Sequence, residues 1–230
     1  MLWSILTTVV LLSDPGRFII NALYLVPALV LGLVAHDVAH AAVAVARGDQ
    51  TPRLDGRLSL DPRHHLDPVG TLVVFFIYFG WGRPLRLNPY RLRSSFDPVL
   101  VWLAGPLASL LVAIALSIPL KLLLASAYVG FASPLFQLIL VAFYFNVVLA
   151  VVNIVPIPGL DGYDVLGALF RRRYGRLFFR VDTNRQTILL VVVLVVLLAP
   201  YVLRTASLFD LLYDPVARVL LGSSIRPIGF

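Results

Sequence analysis

The chain has 230 residues, is 60% hydrophobic and 13% charged, and has a mean hydropathy of +0.91; a water-soluble domain is about half apolar and a quarter charged, so the composition excludes one and implies an integral membrane protein. The formal net charge is +7, yet no basic face carries aromatic platforms in a soluble module, so nucleic acid is excluded as a partner. With no cysteine, disulfides and thiolate ligands are excluded, and any metal must be held by histidine and oxygen.

Apolar stretches predict helices near 2–12, 18–46, 69–80, 98–118, 134–155 and 186–203, with a more amphipathic one near 207–221. A membrane span needs roughly 20 residues, which only some of these reach. The expected fold is an all-α polytopic membrane protein of about five to six membrane helices, with a re-entrant segment and a small β-hairpin. Residues 1–17 form a short apolar N-terminal helix, 18–170 a membrane core, and 171–230 a basic loop, a membrane helix and an amphipathic tail. The 2–12 run has no positive flank before it and no small-residue cleavage pattern after it, so it reads as a first helix and not as a cleaved signal peptide.

Within 18–46 stands His36-Asp37-Val38-Ala39-His40. Histidines at i and i+4 share one helix face, roughly 6 Å apart along the axis. Ionisable groups inside a membrane segment are costly and mark functional sites. The spacing is that of a two-histidine zinc clamp whose intervening acid handles a water proton. Here that acid is aspartate, in a chain with no glutamate at all.

Residues 52–62 alternate apolar and polar around Asp55-Gly56. That pattern is a hairpin signal, whose open edge would hold an extended substrate by strand addition; an ordinary loop hairpin without that role is the other reading. The 69–80 stretch is too short to span and runs into Gly80-Trp81-Gly82-Arg83-Pro84, so it reads as a re-entrant piece buried in protein or facing a wet cavity. The 134–155 helix ends in Asn153-Ile154-Val155-Pro156-Ile157-Pro158-Gly159-Leu160-Asp161-Gly162. Asp161 has two readings there, a third metal ligand or a helix N-cap. Asn153 binds substrate backbone or braces the turn. Asp164 reads as a charge at a helix N-terminus, and Arg171-Arg172-Arg173 as an anchor on anionic lipid.

Fourteen of the nineteen Lys and Arg residues fall in 47–65, 83–97 and 171–185. The positive-inside tendency puts these loops in the cytoplasm, and His36, His40 and Asp161 then share the inner side.

At these motifs the chain resembles the site-2 protease family, intramembrane zinc metalloproteases, in its short form without a PDZ domain. The family pattern His-Glu-x-x-His is matched at 36–40 except for Asp37, and Asn-x-x-Pro-x-Pro-x-Leu-Asp-Gly is met in full from Asn153 to Gly162. Gly105-Pro106-Leu107-Ala108-Ser109, Gly56 to Pro62, His65 to Thr71 and Gly80 to Pro89 are similar to further family elements. The resemblance covers roughly 18–170. It implies one Zn2+ per chain on His36, His40, Asp161 and water, and Asp37 as general base and acid. Asn153, Pro156, Pro158 and His65 become substrate-binding or accessory residues. The substrate is a transmembrane protein, cut in or near its membrane segment, and the setting is the lipid bilayer, with a prokaryotic plasma membrane and a site open to the cytoplasm expected.

Two departures stand out. Asp37 is shorter than glutamate by one C–C bond, about 1.5 Å, and Tyr163 stands where the family repeats glycine. The first keeps open a catalytically impaired relative that grips transmembrane helices without cutting. A proton-coupled transporter using the same four residues is a further alternative, although the chain lacks repeat symmetry.

Overall fold

The computed structural model describes residues 15–77, 81–125, 133–203 and 208–222. The described helices are α1 (Pro15–Ala46), α2 (Thr51–Leu54), α3 (Pro68–Ile77), α4 (Asp97–Ala125), α5 (Pro134–Ile154), α6 (Asp161–Thr183), α7 (Arg185–Leu203) and α8 (Leu208–Leu221), with short 3-10 turns at Pro62–His64 and Pro89–Arg91. The expected 2–12 helix and Gly80 lie outside the described residues.

Three helices are long and apolar enough to cross a membrane: Ile19–Ala46 of α1, Asp97–Ala125 and Pro134–Ile154. Apart from the face of α1 that carries His36 and His40 and the neighbouring Asp37, they are apolar around most of their circumference, as expected of helices that meet protein on one face and hydrocarbon on the other. Of the five to six spans expected, these three are found among the described residues. The α3 helix, with 10 residues, is below spanning length, as its sequence indicated. α4 carries Pro106 and Pro119 inside a continuous helix, which neighbouring helices and local adjustment make tolerable at membrane depth.

α1, α4 and α5 pack against one another. Leu25, Leu29 and Leu33 of α1 bury with Val74 of α3 against Val141, Phe145 and Leu149 of α5. The α4–α5 seam is built from Ala113, Leu120, Phe136, Leu140, Phe143 and Val147, and Ala217 and Leu221 of α8 close onto it. A third cluster, Val152, Leu160 and Leu189, ties the end of α5 and the turn after it to α7.

The hairpin expected at 52–62 is not formed. Thr51–Leu54 is a helical turn with Pro at its start, where a proline's fixed φ and missing N–H suit a first helical turn. The Asp49 carboxylate accepts from the Thr51 amide at 3.0 Å and its hydroxyl at 2.6 Å, which fixes the helical start. Among the described residues no strand occurs, and the only ladder-type pairing is a single antiparallel bridge between Leu66 and Gly82. An open strand edge at 52–62 is therefore absent.

α6 is bent rather than straight. Tyr174 has φ −118° and ψ 34°, and the helix folds back so that the Tyr163 hydroxyl donates to Asp182 at 2.9 Å. The bend carries the arginine run Arg171-Arg172-Arg173 at an exposed position.

Candidate metal centre

Helical spacing puts His36 and His40 on one face of α1, with ring centroids 4.8 Å apart and Nε2 atoms 3.1 Å apart. Both rings are buried, and both are aimed by α4. His40 Nδ1–H donates to the Val101 carbonyl at 2.6 Å. A carbonyl only accepts, so the proton is on Nδ1 and Nε2 offers its lone pair. His36 Nδ1 pairs with the Ser109 hydroxyl at 2.9 Å. Gly105, between these two contacts on α4, lets the helix pass directly over the rings. An added Cβ there would lie 2.2 Å from His40 Nε2 and 2.6 Å from His36 Nε2.

The third donor comes from the broken end of α5. Val155 leaves the helix with ψ 132°, and Gly159 turns the chain at φ +107°, a conformation that favours glycine. Gly162 then sits against α5, since a Cβ on it would meet the Ile154 carbonyl oxygen at 2.1 Å. Asp161 opens α6 as its first helical residue, while Leu160 occupies the cap position without a side-chain bond. Asp161 therefore does not cap the helix. Its Oδ2 lies 2.9 Å from His36 Nε2 and 3.3 Å from His40 Nε2.

His36, His40 and Asp161 thus form a three-donor group whose ligand atoms lie within 4.8 Å of one another. For tetrahedral zinc, with bonds of about 2.0–2.1 Å, neighbouring ligand atoms are roughly 3.3 Å apart. The measured separations of 2.9, 3.1 and 3.3 Å fit one such sphere. Two imidazoles and a carboxylate meeting in a buried space need positive charge between them, and three donors at these separations could hold a metal ion. The all-histidine-and-oxygen donor set suits zinc with one open position.

Asp37 is not part of this group. Its Oδ2 lies 3.3 Å from Arg57 Nη1 and 3.3 Å from His65 Nδ1. His65 is fully buried and its Nε2–H donates to the Ser59 carbonyl at 2.7 Å. Burial opposes charge on this ring, but the Asp37 carboxylate and the Ser59 carbonyl outweigh it and raise its pKa above the ordinary histidine value. His64 is exposed and only its backbone carbonyl contributes, accepting from Arg57 at 2.8 Å.

An apolar cleft of about 190 Å³ opens beside Asp161, lined by Trp102, Leu103, Pro106, Asn153, Ile154, Pro156, Gly162, Val165 and Leu166. Asn153 lines it half-buried, and its amide donates back to the Leu149 carbonyl at 2.9 Å. Pro156 is in the lining; Pro158 is not. Two neighbours of Asp161 face elsewhere. Asp164 forms a two-pronged ion pair with Arg185 at 3.1 and 2.5 Å, and burial pushes its carboxyl above the ordinary value despite that partner. Tyr163 is spent on Asp182, with its hydroxyl pushed up to about 12 by burial and by that carboxylate.

Sequence reasoning did not single out Arg57, or assign roles to Ser109 and the Val101 carbonyl. Gly105 and Ser109 were visible as a Gly-x-x-x-Ser spacing, one turn apart on a helix face, which was the one available signal.

The chain is 37% identical over 158 residues, 65% of this chain and 72% of the relative, to the protein named "Putative zinc metalloprotease YwhC" of Bacillus subtilis. It is 30% identical over 142 residues to "Putative zinc metalloprotease Rip2" of Mycobacterium tuberculosis, spanning 53% of that relative, and 30% identical over 172 residues to the Rip2 of Mycolicibacterium smegmatis, spanning 62% of it. The chain therefore spans only somewhat more than half the length of the Rip2 proteins. No family model matches the chain, and no solved structure matches it.

Proposed function

The chain belongs to the site-2 protease family, and from that premise we propose that it is a zinc endopeptidase cutting peptide bonds in or next to transmembrane segments of membrane-protein substrates. The observation that carries this reading is the meeting of His36 Nε2, His40 Nε2 and Asp161 Oδ2 at tetrahedral-edge distances in a buried site.

His36, His40 and Asp161 would hold one zinc per chain. Bound there, zinc supplies Lewis acidity, lowering the pKa of a coordinated water and polarising the scissile carbonyl. Ser109 keeps the His36 ring aimed, and the Val101 carbonyl both aims the His40 ring and fixes its tautomer. Asp37, beside His36 on α1, takes the proton of the attacking water and delivers it to the leaving amine. A helical substrate must unwind first, because its carbonyls are tied in backbone hydrogen bonds. The apolar cleft beside Asp161 receives a large aliphatic or aromatic side chain of the unwound segment, and Asn153 and Pro156 line its rim. The concentration of arginine in 47–65, 83–97 and 171–185 supports a site open to the cytoplasm of a prokaryotic plasma membrane, with the exposed Arg171-Arg172-Arg173 run of α6 against anionic lipid.

The test is zinc stoichiometry of the purified protein together with cleavage of a reporter transmembrane substrate. About one zinc per chain and cleavage abolished in His36→Ala and Asp37→Ala are expected. Absence of stoichiometric zinc sinks the reading and favours a proton relay instead. The aspartate at position 37 is the one feature favouring a non-cutting relative, so Asp37→Glu belongs in the same assay. If only the glutamate form cuts, the native protein is a zinc-bound gripping protein and not an enzyme.

A further inference from the structure

Arg57 is an unusual residue for its surroundings. It is 4% exposed, and a buried guanidinium is costly unless its donors are matched and its charge is paired. Its Nη1 donates to the His64 carbonyl at 2.8 Å and reaches Asp37 Oδ2 at 3.3 Å, and its Nη2 donates to the Arg83 carbonyl. One side chain thus ties two separate loops to the carboxylate of α1. The same loops are stitched by Arg83 N–H donating to the His65 carbonyl at 2.7 Å and by the Leu66–Gly82 bridge. Gly82 lets this strap lie close, because a Cβ on it would stand 2.9 Å from the His65 carbonyl oxygen and 3.5 Å from Asp37 Oδ2.

Arg57 and His65 converge on the same oxygen of Asp37, and among the described residues Oδ1 has no partner. Resting on the protease reading above, we propose that Arg57, together with His65, is a positioning pair that fixes the Asp37 carboxylate by Oδ2 and leaves Oδ1 to accept the proton of the attacking water. The brace matters more for aspartate than for a longer acid. A shorter side chain has less reach to correct its own placement, and an ångström of misplacement costs on the order of 100-fold in rate. Neither residue joins the donor group formed by His36, His40 and Asp161, so the pair acts on the acid and not on the metal.

The experiment compares native protein with Arg57→Ala, Arg57→Lys and His65→Ala, each full length and zinc-loaded. Zinc content is expected to stay near one per chain, while kcat on a reporter transmembrane substrate falls about 10- to 100-fold with KM little changed. Added guanidinium should restore part of the Arg57→Ala rate. A double-mutant cycle in thermal unfolding, Asp37→Ala crossed with Arg57→Ala, gives a readout that needs no turnover and should be clearly non-additive. Additive unfolding shifts, or a native kcat in Arg57→Ala, overturn the proposal. Should Arg57→Ala fail to fold, Arg57→Lys crossed with Asp37→Asn decides by the same criterion. A zinc-loaded native protein that cuts nothing sinks the protease reading instead, and the cycle still reports whether Arg57 holds Asp37.

Discussion

Position 105 illustrates how tightly the site is drawn at the level of single atoms. With His40 Nε2 only 2.2 Å from where a Cβ would stand, even a methyl group must push both rings away from the point where the three donors meet. Gly105→Ala is therefore expected to lose zinc while leaving the buried α4–α5 seam intact, as measured by metal content and circular dichroism. Ser109→Ala removes the partner of His36 Nδ1 without adding bulk, and should weaken zinc affinity about 10- to 100-fold in competition with a coloured chelator. The two rings were legible in the sequence because helical spacing is a local property. The break before Asp161 was legible from its prolines and glycines, but the choice between ligand and helix cap was not, and the family motif pointed to the ligand. Ser109, the Val101 carbonyl and Arg57 were not legible, since they reach the site only after separate segments pack together, and a buried arginine looks the same in one dimension as a solvated one.

At the level of elements, the segment after α1 was misread for a definable reason. The alternation over 52–62 overlaps a helical turn, Thr51–Leu54, too short to separate a period of two from one of 3.6, and the group that fixes its start lies outside the pattern. The Asp49 carboxylate accepts from Thr51 and, at 2.6 Å, from the Asn88 amide, joining the start of α2 to the loop before α4. Burial pushes this carboxyl up, but the Thr51 and Asn88 donors and nearby Arg91 outweigh it and hold its pKa below the ordinary value. A depressed folded-state pKa means that the stabilisation is fully present above the unfolded value, about 3.9, and is lost as pH falls through the folded one. Hydrogen exchange at the Thr51 and Asn88 amides, taken relative to amides inside α5, should stay protected down to about pH 4 and rise below it. In Asp49→Asn the pH step should disappear. The bend of α6 at Tyr174 was likewise hidden, because it depends on Tyr163 packing on Phe178 with ring centroids 5.5 Å apart.

For the molecule as a whole, the metal site links α1 to α6 across α4, which packs on both. The rings stand on α1, the carboxylate on α6, and α4 lies between as the template that aims them. A ligand that binds only the folded state raises the unfolding midpoint by mass action. Stripping zinc with a chelator is therefore expected to lower the thermal midpoint of the native protein, whereas His36→Ala should unfold at one temperature with or without chelator. The three packed spans were legible from composition and length alone. Their mutual arrangement was not, because helices apolar around most of their circumference carry little mark of which face meets a neighbour.

The donors that meet in this site are far apart along the chain, His36 and Asp161 being separated by 125 positions. A ribosome adding about 5–20 residues per second therefore releases both imidazoles many seconds before the carboxylate exists. Until α5 has formed and the chain has turned back at its end, the nascent protein has nothing with which to complete the three-donor group.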